Sequence, residues 1–277
     1  MPLVRIFLRW VRYSFGSRIT YGRLGTDNMI TPIEGDIFGK WTWRSEKVAL
    51  DKIQLLAPIR PPTIIGIGLN YREHAKEVGS SMPTAPVIFL KANTSIADPG
   101  QPIMLPQMAP DEVDYEAELA IVIGRLARNV AEDDARNYIL GYTCGNDVSA
   151  RDCQQKLDVQ WARGKSFDTF APLGPWIEDA IDGDKCNIQS KLNGKIMQSS
   201  NTSDLIFSTR KLVSYCSRCM TLMPGTAIMT GTPSGVGFSR NPPVFLKEGD
   251  MIEVEIEGIG VLKNRVESQA QQNVSIK

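Results

Sequence analysis

The sequence predicts a mostly β, α+β protein with a β-rich main domain and a small N-terminal domain. Three observations carry this expectation. Short runs of apolar and β-branched residues recur at 64–68, 87–91, 118–124, 227–230, 251–256 and 260–264. Helical patterns are fewer, at 71–78, 132–137 and 204–221. A stiff segment, Pro58-Ile59-Arg60-Pro61-Pro62, follows a turn-rich first unit, so residues 1–60 form the expected small domain and 61–277 the main one. Many strands with scattered helices point to a barrel or sandwich-like arrangement. Neither a tandem repeat nor a low-complexity tract interrupts the pattern.

Residues 1–26 hold several arginines and no acid, the composition of a targeting segment. A strand pair is expected there instead, at 7–13 and 18–21, joined at Phe15-Gly16-Ser17. The arginines define no polar helical face, and Gly16 and Gly22 interrupt one. The run Gly66-Ile67-Gly68-Leu69-Asn70-Tyr71 lacks the third glycine of a dinucleotide fingerprint. The helix expected over 71–78 puts His74 and Glu77 on one face. Gly79-Ser80-Ser81-Met82-Pro83 is a loop suited to act as a lid, or an ordinary connection. The run 118–124 reads as a buried strand, and Glu116 and Glu118 at i and i+2 point the same way. Gly231-Thr232-Pro233-Ser234-Gly235-Val236-Gly237 lacks the lysine of a phosphate-binding loop, but its N–H groups and Thr232 suit a carboxylate.

The 277 residues carry 31 basic and 31 acidic side chains, with a sequence pI of about 6.6. This balance argues against nucleic acid or an anionic membrane as partner, and no apolar run approaches the roughly 20 residues that span a bilayer. Five cysteines at irregular spacing, Cys144, Cys153, Cys186, Cys216 and Cys219, give no disulfide framework and point to a reducing compartment. Cys216-Ser217-Arg218-Cys219 lacks the second pair that a zinc site needs, and core or near-core thiols are expected.

Two neighbouring carboxylates at the mouth of an apolar strand repel each other. A hard cation is the simplest neutraliser, and Asp147 is placed to close such a site. Spacing alone leaves 116/118 divided between a metal site and a solvated face, because Glu253, Glu255 and Glu257 repeat the pattern in what reads as a half-exposed strand. His74 is the only histidine. Paired with Glu77 it has the makings of a general base near neutral pH. With one histidine, any metal must be held mostly by carboxylates, which favours Mg²⁺ or Mn²⁺ over Zn²⁺. Lys165, among small residues near a turn, is either a surface lysine or an anion-binding one.

The motifs GIGLNYREHAKE (66–77), PVIFLKANTS (86–95), DYEAELAIVIG (114–124), GYTCGNDVSARD (141–152), GKSFDTFAPLGPW (164–176), TGTPSGVGF (230–238) and GDMIEVEIEGIGVLKNRV (249–266) stand in one order along the chain. Together they resemble the fumarylacetoacetate hydrolase family, of the smaller two-domain kind. The likeness runs from about residue 64 to 266 and is loose over 1–60. Relatives often carry an acidic residue near Met223 or Thr226, which this chain lacks in a peripheral turn. The resemblance implies a mixed β-roll or barrel, with Mg²⁺ bound by Glu116, Glu118 and Asp147 and Mn²⁺ as the alternative. It implies that His74 and Glu77 form a water-activating dyad and that Lys165, Arg151, Gln154 and Thr232 surround a 2-oxo or diketo acid. Hydrolysis of a C–C bond in a 2,4-diketo acid, through a metal-stabilised enolate, comes first. An oxaloacetate-type decarboxylase and a 2-oxo-acid isomerase or tautomerase are the alternatives, and a non-catalytic binder of a small dicarboxylate or a protein partner comes last. A homodimer is expected, in the cytoplasm, with a mitochondrial address left open by the arginine-rich start.

Overall fold

A computed structural model describes residues 9–269. Ten strands follow one another across the main sheet, in the order Trp41–Trp43, Met29–Gly35, Arg18–Leu24, Arg9–Phe15, Ala171–Glu178, Ile139–Asn146, Ala117–Ile123, Ala227–Met229, Ile64–Gly68 and Val87–Lys91. Three short strands attach beside this path. A second sheet runs Ile103–Leu105, Gly260–Ser268, Met251–Ile256, Asn187–Leu192 and Lys195–Asn201. The mostly β class expected from the sequence is therefore the fold.

The main sheet continues across residue 60. Arg9–Phe15 pairs with Ala171–Glu178, setting Arg9 opposite Glu178 and Trp10 opposite Ile177. Ile59, inside the proline-rich segment, is fully buried in the core beneath this junction. The hairpin expected at 7–13 and 18–21 is present as Arg9–Phe15 and Arg18–Leu24, turning at Gly16 with φ +59°. Phe7 and Leu8 lie outside the described residues.

Ala117–Ile123 is the central strand, buried on both faces. Leu119, Ile121 and Ile123 enter one core with Val254, Ile256 and Leu262 of the second sheet. Ala120 and Val122 enter another with Leu173, Ile177 and Met229. Each such aliphatic side chain contributes roughly 1.5–3 kcal/mol of burial, which makes this strand a rigid base for whatever stands at its end. In Met251–Ile256, by contrast, Ile252, Val254 and Ile256 point inward while the glutamates face out. Glu255 meets Lys191 at 2.8 Å and Glu253 meets Lys263 at 2.7 Å, so this is a cross-strand charge ladder.

The longest helix spans Thr209–Cys219, shorter than the pattern at 204–221. Ser208 caps it by accepting the Lys211 N–H at 3.2 Å. Its last residue, Cys219, is exposed, which corrects the expectation of a near-core thiol there, whereas Cys216 is buried. The pattern at 132–137 forms turns and a 3₁₀ helix, Ala135–Tyr138. No helix among the described residues is long and apolar enough to cross a membrane.

Candidate metal centre and active site

Glu116 and Glu118 share the parity of Ala120 and Val122, so both leave the backbone on one side. Antiparallel pairing sets Ala117 opposite Asn146 and Glu118 opposite Gly145. Asp147 is the next residue, and its N–H donates to the Glu116 carbonyl at 2.9 Å. One carboxylate oxygen from each of Glu116, Glu118 and Asp147 lies within 4.8 Å of the other two, and all three residues are buried.

Cationic side chains take up much of this charge, which changes the neutralisation argument made from sequence. Lys165 is buried rather than on the surface, and its Nζ lies 2.8 Å from Glu116 and 2.7 Å from Asp147. Lys91, fully buried, donates to Asp147 and to the Val148 carbonyl. Arg151 Nη2 stands 2.6 Å from Glu116 and 2.8 Å from Asp114, off the line of a directed hydrogen bond, while its Nε donates to Asp114 at 2.9 Å. Burial would raise the Glu116 carboxyl, but Lys165 and Arg151 outweigh it and hold Glu116 far below the usual range.

Glu118 has no cationic side chain against it among the described residues; it accepts the Gly231 N–H at 2.8 Å. Burial, with Asp147 and Glu116 adding to it, raises its carboxyl well above the usual value. Four buried carboxylates thus face three cations, with the excess at Glu118. An all-oxygen donor set in which Glu118 is left without an ion-pair partner among the described residues fits a hard divalent cation such as Mg²⁺ or Mn²⁺.

The helix Arg72–Glu77 carries the dyad. Asp204 accepts the Glu73 N–H at 3.1 Å, and Arg72 donates to the Leu205 carbonyl at 2.8 Å, which fixes this short helix at its first turn. His74 Nδ1 lies 3.0 Å from Glu77 Oε2, and Glu77 Oε1 accepts the Gly235 N–H at 2.8 Å. Burial opposes ionisation of Glu77, but hydrogen bonds from His74, Ser239 and Gly235 hold its carboxyl below the usual value. A carboxylate only accepts, so the proton sits on Nδ1 and Nε2 is left as the basic nitrogen.

The loop expected to cradle a carboxylate holds the protein's own. Gly231 binds Glu118, Gly235 binds Glu77, and the N–H groups of Gly237 and Phe238 bind Asp114 at 2.7 and 3.0 Å. Gly235 has φ +102°, and a Cβ there would meet the Met197 carbonyl oxygen at 2.3 Å, so no other residue fits.

His74, Glu116, Glu118, Arg151, Gln154, Lys165 and Thr232 line one cavity of about 330 Å³. Gln154 accepts from Arg151 Nη1 at 2.8 Å; Thr232 donates to the Ala117 carbonyl at 3.0 Å and accepts from Gln198 at 2.7 Å. A larger cavity of about 870 Å³, around Thr94, Met104, Phe167 and Asp168, contains neither the dyad nor the carboxylate trio. Sequence reasoning missed Asp114, Lys91 and Asn70. Asn70 donates to the Thr230 and Phe207 carbonyls and accepts the Phe207 N–H, pinning the turn after Ile64–Gly68. The sequence shows only a polar residue beside an apolar run, which does not tell a buried position from an exposed one.

Fold and site together define a class: a β-rich protein with a buried carboxylate trio that could hold a divalent cation, and a His–Glu pair opening on the same cavity through His74. The chain belongs to the fumarylacetoacetate hydrolase family: residues 63–267 match the family described as Fumarylacetoacetate (FAA) hydrolase C-terminal. Residues 8–58 match one described as Rv2993c-like, N-terminal. A fumarylacetoacetate hydrolase domain-containing protein 2 homolog of Dictyostelium discoideum is 47% identical, covering 80% of this chain and 77% of that protein. The mitochondrial oxaloacetate tautomerase of Xenopus laevis is also 47% identical, covering 77% of this chain and 68% of its own. The crystal structure of a 5-carboxymethyl-2-hydroxymuconate delta-isomerase from Mycobacterium smegmatis is 42% identical, with TM-score 0.85, covering 94% of this chain and all of that one.

Proposed function

We propose that this chain catalyses keto–enol isomerisation of a 2-oxo acid, with Mg²⁺, or Mn²⁺ in its place, held by Glu116, Glu118 and Asp147. The observation that carries this is the opening of Glu116, Glu118 and His74 into a single cavity, with Asp147 buried beside the two glutamates. The names of a tautomerase and an isomerase among the relatives support proton transfer over the hydrolysis that the family resemblance put first. When bound, the cation supplies Lewis-acid polarisation of the 2-oxo group. His74 Nε2 accepts the enol hydroxyl proton and returns a proton to the adjacent carbon, so the substrate gains and loses one proton with no change in composition. Glu77 keeps the imidazole in the correct tautomer and balances its positive charge after protonation. Lys165 adds fixed positive charge beside the trio.

General-base assistance is worth about 10²–10⁴-fold. Loss of enol ultraviolet absorbance, followed after rapid mixing, is therefore expected to slow by that factor in His74→Ala, while calorimetric Mg²⁺ binding persists. Near-full turnover in that variant removes His74 from the mechanism. Hydrolysis of a 2,4-diketo acid is the second function, favoured by the His74–Glu77 contact, which equally suits activation of water. Product analysis separates these outcomes: two fragments mark hydrolysis, CO₂ marks decarboxylation, and an unchanged carbon skeleton marks isomerisation. A symmetric homodimer accompanies this proposal, to be read by light scattering.

A further inference from the structure

The two glycines of Gly66-Ile67-Gly68 serve no nucleotide, and the side chains packed on them bear on substrate choice. A Cβ on Gly66 would lie 2.1 Å from the Phe89 ring, and one on Gly68 would lie 2.6 Å from the Trp161 ring. Phe89 and Trp161 meet edge to face, with centroids 5.8 Å apart. Both line the cavity that holds His74 and the glutamates. Leu69 and Val78 continue this wall. The bare glycine backbone is what lets two aromatic rings lie down here.

The cations that line the cavity are both already engaged. Lys165 is held by Glu116 and Asp147 and faces the Phe89 ring at 5.2 Å. Arg151 is held by Asp114, Glu116 and Gln154 and packs on Phe238 at 4.3 Å. A substrate with one carboxylate beside its 2-oxo group satisfies the metal end. Beyond these two cations the lining is Leu69, Val78, Phe89 and Trp161 with the neutral Ser80 and Gln155, so a second carboxylate would be partly desolvated with no free cation to meet it.

From this we infer that the distal half of the site takes a neutral apolar or conjugated chain in preference to a carboxylate, and that Trp161, seated on Gly68, sets that preference. The inference rests on the 2-oxo-acid function proposed above, and it separates this chain's preferred substrate from the dicarboxylate named for its tautomerase relative.

The test is calorimetric binding to the full chain saturated with Mg²⁺, using three probes. Oxalate reports the metal end alone. The pair 2-oxoglutarate and 5-methyl-2-oxohexanoate share a head and spacer and differ in a distal carboxylate against an isopropyl group. The branched probe is expected to bind at least about tenfold tighter, in the range that apolar pockets discriminate. Trp161→Ala should shrink that ratio, and Trp161→Arg should reverse it by supplying the missing cation. Equal or tighter binding of 2-oxoglutarate to the unaltered chain overturns the inference even if both variants fail to fold. Absence of oxalate binding overturns the 2-oxo-acid function itself, and the distal preference falls with it. Oxalate binding without the tenfold ratio leaves the function standing and defeats only the distal preference.

Discussion

Lys165 is the residue whose role is most sharply defined by its surroundings. It stands between Glu116 and Asp147, fully enclosed. Removing one partner from a buried ionic cluster costs about 3–5 kcal/mol, because the remaining charge has no solvent to turn to. Lys165→Met is therefore expected to lower the unfolding free energy in EDTA by that amount in a urea titration. Mg²⁺ should then restore more stability to the variant than it adds to the parent; equal gains would show that Lys165 and the cation do not share the same charge. Glu77 gives a pH prediction. Its carboxyl is held below its ordinary value of 4.5, so its contribution is complete above that value and is lost as pH falls through the lower, folded-state value. The stability advantage of the parent over Glu77→Gln should be present at neutral pH and shrink below about pH 4.5. At this scale the i, i+2 spacing put Glu116 and Glu118 on one side, but the family resemblance, not the spacing, set them apart from Glu253, Glu255 and Glu257; one residue of strand register explains Asp147. Lys91 and Asp114 were not legible, because a charge at the end of an apolar run looks the same whether it terminates a strand in water or is carried into a buried cluster.

Among the elements, the strand Ile64–Gly68 shows how a motif can be read correctly and still be misunderstood. Its bounds follow from the apolar run, and its failure as a nucleotide motif follows from the missing glycine, but the purpose of the two glycines depends on rings 23 and 93 residues away in the chain. Overpacking a filled site costs about 1–3 kcal/mol. Gly66→Ala meets the buried Phe89 ring, while Gly68→Ala meets the rim of a partly exposed Trp161. The first substitution should therefore lower Tm more than the second, and a larger loss at Gly68 would mean that Trp161 is the more tightly held ring. Helices were less legible than strands. The pattern at 204–221 overran both ends of Thr209–Cys219, because the Ser208 cap lies inside a continuous amphipathic run. The glutamates of Met251–Ile256 show the converse: their alternation is real, but lysines on neighbouring strands decide that it faces solvent.

For the whole molecule, the site lies where strands remote in sequence converge, and its carboxylates repel one another until compensated. A ligand that binds only the folded chain stabilises it by about 2.7 kcal/mol at a hundredfold excess over Kd. Mg²⁺ is expected to raise Tm in a concentration-dependent way, and Glu118→Gln should weaken that response. A flat response to Mg²⁺ and Mn²⁺ alike would remove the metal from the centre. The β class was legible because it rests on local periodicity, and the site motifs were legible through the family resemblance. The extension of one sheet through Arg9–Phe15 into Ala171–Glu178 was not, since strand pairing across 160 or more residues leaves no local mark.

The loop from Gly231 to Phe238 binds Glu118, Glu77 and Asp114 through its own backbone. Alignment between the base and the metal ligands is thus referenced to eight consecutive residues rather than to the long stretch of chain that separates Glu77 from Glu118. Insertions in the surface loop of that stretch around 79–86 should leave the registration untouched. A one-residue insertion within the loop would displace both partners at once, so acid–base function and cation affinity should be inherited, and lost, together.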